Sequence, residues 1–314
     1  MNHKCVIIAS PHGFCAGVRR AVEITEATLQ EFPPPIYCLH ELVHNRQVVE
    51  DLAGRGVVFV RTIGEVPRGA TVLFSAHGVS PAIRLEAERA GLRVIDATCP
   101  FVTKVHAEVR RYAAEGYTIL LIGHPDHDEV AGVVGEAPDH VVVIQNVEDA
   151  AALGVPAPDR VAVVTQTTLS VAETERVMEV LRARFPRLRT PAKSDICYAT
   201  TNRQRAVEAV AAVADAVLVL GSENSSNSKR LVEVARSAGV EAFLISTLAA
   251  LEPLSMGRVR TVGVTAGAST PESFVHDVVS RLRARGFDDV SERRVADETV
   301  HFRVNRDAVA RPGS

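Results

Sequence analysis

The chain has no tryptophan, and aromatic residues fill only 4% of its 314 positions. No apolar run approaches the roughly 20 residues a membrane-spanning helix needs, so a membrane is not an expected partner. The N-terminus lacks the basic, apolar and small-residue order of a secretory signal. The formal net charge is −3, and no basic cluster or aromatic stacking platform occurs, which argues against nucleic acid as a partner. Cysteines number five, an odd count with no close Cys-x-x-Cys pair. A disulfide framework is therefore not expected, and the expected location is the cytoplasm.

What is present is Val, Ala, Leu and Ile, with 46% apolar residues overall. They form short continuous runs, the pattern of strands buried on both faces. Val6–Ala9 precedes Gly13-Phe14-Cys15-Ala16-Gly17-Val18, and a helical pattern with Val18, Ala21, Val22 and Ala27 on one face follows. Leu92–Ile95 precedes Ala97-Thr98-Cys99-Pro100 and a helix over 102–114. Asp195-Ile196-Cys197-Tyr198 precedes a helix over 202–214. Three cysteines at three helix starts, at similar intervals, suggest an internal repeat. A helix N-terminus favours a thiolate, the form that binds metal. Cys5 and Cys38 fall within strand-like runs and read as core residues.

Two further strand–loop–helix units follow each cysteine helix. Their strands are Ile36–Leu39, Val72–Phe74, Ile119–Ile122, Val161–Val164, Val217–Leu220 and Val262–Val264. Alternating strand and helix patterns predict an α/β fold with mostly parallel sheets. In such sheets ligands bind beyond the carboxyl ends of the strands. Soft boundaries near 98 and 195 give segments 1–98, 99–194 and 195–286, with a C-terminal extension over 287–314. That extension holds a strand candidate at 300–304, and the residues from Arg311 are expected to be disordered.

The loops hold His44, His77, His127, Ser225, Ser226, Asn227 and Ser269, which would face one centre if the three segments close on one another. Helix N-termini with hydroxyls and imidazoles suit a phosphate. The alternative for each Ser or Thr is simple helix capping. His3, His12, His106, His140, His276 and His301 read as surface or core residues, and His40 and His124 as supports for the motif histidines. Three isolated cysteines suit an iron–sulfur cluster with one iron lacking a protein thiolate, or zinc with a fourth ligand. A zinc-dependent phosphohydrolase and a non-catalytic redox sensor therefore stay open on the residues alone.

The motifs around Cys15, Val43-His44-Asn45, Ser75-Ala76-His77-Gly78-Val79-Ser80 and Ala97-Thr98-Cys99-Pro100 occur together with four more. These are Thr165-Gln166-Thr167-Thr168, Ile196 to Gln204, Ser225-Ser226-Asn227-Ser228 and Thr265 to Ser269. The combination resembles the LytB family of 4-hydroxy-3-methylbut-2-enyl diphosphate reductases, from about Val6 to Leu282. Family members commonly have His-Pro-Glu where this chain has His127-Asp128-Glu129.

The resemblance implies three pseudo-threefold-related α/β domains around a central 4Fe-4S cluster held by Cys15, Cys99 and Cys197. It implies reductive removal of a hydroxyl from an allylic diphosphate, with ferredoxin or flavodoxin as electron donor. His44, His77, His127, Thr167, Ser225, Ser226, Asn227 and Ser269 would contact substrate. Glu129 would deliver the proton, with Thr167 and His127 as catalytic partners. Strand-like alternation would turn Asp128 away from His127 and Glu129.

Overall fold

The computed structural model describes residues 4–304. The readings of His3 and of the residues from Arg311 lie outside the described residues. In chain order, β1 (Cys5–Ser10) leads to α1 (Ala16–Glu31), which ends before Pro33-Pro34-Pro35. Then follow β2 (Ile36–Leu39), α2 (Arg46–Gly54), β3 (Val57–Val60), β4 (Thr71–Phe74), α3 (Pro81–Arg89) and β5 (Arg93–Asp96). The middle of the chain forms α4 (Pro100–Ala114), β6 (Thr118–Ile122), α5 (Asp128–Val134), β7 (Val141–Ile144), α6 (Val147–Ala152), β8 (Val161–Thr165) and α7 (Val171–Arg184). The last part forms α8 (Tyr198–Ala211), β9 (Ala216–Leu220), α9 (Ser226–Ser237), β10 (Glu241–Ile245), β11 (Thr261–Ala266), α10 (Glu272–Arg283) and β12 (Asp289–Arg294).

These strands make three sheets, ordered β10-β9-β11-β1-β12, β3-β2-β4-β5 and β7-β6-β8. Every strand pairing described is parallel. Parallel strands need helical crossovers, which cover the sheet faces and account for the continuous apolar runs.

Contact density divides the chain into two units. The first comprises residues 4–18, 44–50 and 198–301 and holds the five-stranded sheet. Val6, Leu218, Leu220 and Val264 pack with Phe274, Val278 and Leu282 of α10 on one face. Val217 and Val219 pack with Val207 of α8 and Leu231 of α9 on the other. The second unit comprises 19–43, 51–197 and 302–304 and holds the other two sheets. Leu120, Ile122 and Val163 pack on α7 through Val177 and Leu181. Ile119, Leu121 and Val164 pack on α4 and α5 through Val105, Val109, Val130 and Val133.

This division differs from contiguous segments 1–98, 99–194 and 195–286 with an extension from 287. The reason is strand pairing: β1 lies between β11 and β12, so the first strand belongs to the sheet of the last segment. Residues 300–304 form no strand. The extension's strand is instead β12, a polar edge strand, mostly exposed, with no apolar pattern to betray it. Cys38 is fully buried as expected, and burial pushes its thiol far up. Cys5 is only half-buried and its Sγ donates to Thr261 Oγ1 at 3.4 Å.

Candidate active site

In the first unit, the loop after β1 is tied to the loop after β11. Gly13 N–H donates to Ala266 O at 3.2 Å and Cys15 N–H to Ala268 O at 3.1 Å. Gly13 has φ +68°, a conformation glycine adopts without cost. Cys15 lies immediately before α1, with its Sγ 3.5 Å from Val18 N.

His44 and the α9 region come together in the same unit. Ser269 Oγ donates to His44 O at 2.9 Å, and Arg46 N–H to Ser222 Oγ at 2.9 Å. Ser225 takes the capping role: it precedes α9 and its Oγ accepts from Ser228 N–H at 3.2 Å. Gly221 and Gly267 permit this packing. A Cβ on either would lie 2.1 Å from Ser228 Oγ. Asn227, in the first turn of α9, is 4% exposed, and neither its Oδ1 nor its Nδ2 has a hydrogen-bond partner. A buried orphaned amide is costly unless something pairs with it. At the start of a 12-residue helix, an anion is the fitting partner.

In the second unit, β6 and β8 aim their loops at one cluster. His127 is the N-cap of α5, and its Nδ1 accepts from Glu129 N–H at 3.1 Å. This commits the Nδ1 lone pair and leaves Nε2 as the ring donor. His77 packs edge-on against His127, with ring centroids 5.6 Å apart. Ser75 Oγ lies 3.3 Å from His77 Nδ1. Glu129 is 2% exposed. Its Oε1 accepts from Thr167 N–H at 2.7 Å, and its Oε2 is 2.8 Å from Thr167 Oγ1. Thr167 O in turn accepts from Cys197 N–H at 3.1 Å. Cys99 N–H donates to Ala76 O at 3.0 Å, joining the Cys99 and His77 loops.

Asp128 does turn away from Glu129, but not by strand alternation. Both lie in the first turn of α5, where successive residues point in different directions around the axis. Asp128 Oδ1 is 2.7 Å from Nδ1 of His40, a residue with left-handed backbone at φ 58°. The hydrogen bond that His40 donates to Asp128, opposed by burial, raises the His40 pKa above its ordinary value of 6.5. His124 supports the loop through its backbone: its O accepts from His127 N–H at 3.0 Å. His106 is a core histidine, 4% exposed, bonded to Glu136 at 2.6 Å.

Two supports are absent from the sequence reading. Asp195 has a fully buried carboxylate that accepts from Thr165 N–H at 3.1 Å and from Lys104 Nζ at 2.7 Å. It ties the segment carrying Cys197 to β8 and α4. Gln166 Oε1 accepts from His124 N–H at 3.0 Å. The only sequence signal was that both stand inside motifs.

Cys15 in the first unit, and Cys99 and Cys197 in the second, are half-buried, lie outside any disulfide and stand directly before a helix. Cys99 occupies the N-cap of α4 yet makes no side-chain cap hydrogen bond. Thiolate donors without a histidine or carboxylate among the three suit iron–sulfur chemistry.

Comparisons agree with the motifs. The model of the family described as LytB protein matches residues 6–283. A 4-hydroxy-3-methylbut-2-enyl diphosphate reductase of Neisseria meningitidis serogroup C is 50% identical over 303 residues, covering 96% of this chain and 94% of its own length. A second, from Mycobacterium tuberculosis, is 51% identical over 307 residues, covering 98% and 92%. The solved E-1-hydroxy-2-methyl-but-2-enyl-4-diphosphate reductase of Plasmodium falciparum superposes with a TM-score of 0.95 at 38% identity, over 98% of both chains. A solved (E)-4-hydroxy-3-methyl-but-2-enyl diphosphate reductase, described as the terminal enzyme of the non-mevalonate pathway, gives 0.64 at 33%, over 90% and 99%. With the cysteine loops, the His77–His127 pair and the Glu129–Thr167 pair in these positions, the chain belongs to the LytB family.

Proposed function

We propose that this chain reduces (E)-4-hydroxy-3-methylbut-2-enyl diphosphate to isopentenyl and dimethylallyl diphosphate, the last step of the non-mevalonate route. The reaction breaks the allylic C–O bond, consumes two electrons and two protons, and releases water. The observation that carries this reading is the buried Glu129–Thr167 pair, bonded onward to the backbone of Cys197. It sets a proton source beside one of the three cysteines.

Cys15, Cys99 and Cys197 would hold a 4Fe-4S cluster. When bound, such a cluster supplies single electrons and a Lewis-acidic iron. Ferredoxin or flavodoxin would deliver the electrons. Cysteines outside any disulfide suit a reducing, cytoplasmic compartment.

The protein's own residues bind and protonate. Asn227 offers its orphaned amide to the diphosphate, beside backbone N–H groups at the start of α9. His44, Ser225, Ser226 and Ser269 of the same unit would complete the anion site, and His77 and His127 would serve as further donors to the substrate. Hydroxide is a poor leaving group, so the substrate hydroxyl must be protonated as it departs. Glu129 supplies that proton through Thr167: the hydroxyl at 2.8 Å passes its own proton on and takes the carboxyl's.

Anaerobic purification tests this, with iron and sulfide analysis and an assay using a chemical reductant. The expected result is a brown protein with roughly four iron and four sulfide per chain, converting the allylic diphosphate to both products. A colourless zinc protein that releases inorganic phosphate would instead identify a phosphohydrolase.

A further inference from the structure

Arg203 is fully buried in α8, at 0% exposure. A buried guanidinium needs both a countercharge and acceptors for its N–H groups. Its acceptors include Ala199 O, 2.9 Å from Nη1. The main one is Gly13 O, 2.7 Å from Nη2 and 3.2 Å from Nε. Its countercharge is Glu298, in the segment after β12. Nη1 donates to Glu298 Oε1 at 3.0 Å and Nη2 to Oε2 at 3.4 Å. Asn202 Nδ2 donates to the same Oε1 at 3.2 Å.

Gly13 O belongs to the loop that carries Cys15. Other hooks on that loop include backbone groups of Ala266 and Ala268, His12 Nε2 at 3.3 Å from Glu272 Oε1, and the Tyr198 hydroxyl, which accepts from Ala16 N–H at 3.4 Å. Arg203 differs from the exposed Glu272 in being a fully buried charge. Its orientation depends on a carboxylate from the far end of the chain. If the carboxylate is lost, an uncompensated buried charge remains and the forked contact to Gly13 is no longer held from behind.

We propose that Glu298 is a positioning residue for Cys15: through Arg203 it sets the Gly-Phe-Cys loop, so the C-terminal extension is part of the cysteine site. The iron arm of the test rests on the cluster reading given above; the thiol arm does not.

The test uses the full chain with Glu298→Gln, which keeps size and removes charge. In the metal-free protein, alkylation by iodoacetamide is followed at Cys15 by peptide mapping, with Cys5 as reference in the same unit. Cys15 is expected to react about tenfold faster in the variant, as expected for loss of a charge-assisted contact, while Cys5 is unchanged. In the anaerobically reconstituted protein, iron loss to a chelator is expected to quicken by a similar factor. Equal Cys15 rates in variant and parent overturn the proposal. So does a parallel rise at Cys5, which would mean loosening of the whole unit, or a faster Cys15 with unchanged iron loss. If the parent holds no iron, the cluster reading fails, and the thiol rates alone decide the role of Glu298.

Discussion

Glu129 and Asp128 are neighbours with separate duties, and the difference is set by what each touches. Glu129→Gln can still accept from Thr167 N–H and can donate to Thr167 Oγ1, so the local geometry should survive. Only the transferable proton is lost. Single-turnover assays with reconstituted protein are expected to show a loss of about 10²-fold or more, with iron content unchanged. Thr167→Val should fall nearly as far, while Thr167→Ser should recover most of the rate. Normal turnover in Thr167→Val would remove the hydroxyl from the proton path. Asp128 pairs with His40 instead. The His40 pKa is raised in the folded chain, so the pair's contribution is fully present below the ordinary value of 6.5 and is lost as pH rises through the raised value. Asp128→Asn should therefore lower the melting temperature near about pH 6 and leave it unchanged near about pH 9. Both side chains are partly solvated, which limits the effect to below about 1 kcal/mol. A deficit that grows with pH would contradict this assignment.

At the scale of elements, the motif residues sit in strand-to-helix loops, and within each unit first helical turns pack against neighbouring loops. Around α9 the fit leaves no room for a methyl group. Gly267→Ala places a Cβ 2.1 Å from Ser228 Oγ and 3.5 Å from Asn227 Nδ2. Because Ser228 is fully buried, the strain must move the first turn of α9. A cost of about 1–3 kcal/mol is expected in thermal unfolding, with a matching loss of affinity for inorganic diphosphate in calorimetry. Undiminished diphosphate binding in a destabilised Gly267→Ala protein would place the anion away from α9. Serines 225 and 269 show why hydroxyls were ambiguous by sequence. One caps a helix and the other holds the backbone of His44, so both are structural whatever else they touch.

For the whole molecule, the five cysteines fall into two classes. Cys15→Ser, Cys99→Ser or Cys197→Ser should each abolish stable iron binding. Cys5→Ser should retain iron and activity. Cys38→Ser should also retain iron but unfold at a lower temperature, because it puts a hydroxyl into a fully buried apolar site in β2. Iron and sulfide counts with thermal melts on all five variants check this, and a Cys99→Ser protein with full iron would refute the ligand set.

The strands that carry the motif loops were legible as apolar runs because helices cover both faces; β6, β8 and β9 are almost wholly buried. Strands β3, β7, β10 and β12 were not read because no motif loop follows any of them, whereas β5 and β8, also at sheet edges, lead into motif loops and were read. Family and chemistry were likewise legible, because cysteine, histidine, glutamate and threonine at fixed places in loops are a local signature. Pairing partners were not. Nothing local in Cys5–Ser10 says that β1 lies between β11 and β12, that Glu298 neutralises Arg203, or that Asp195 reaches Lys104. Such contacts join residues 91 to 284 positions apart, and they are chosen by burial and charge compensation only once the chain has closed on itself.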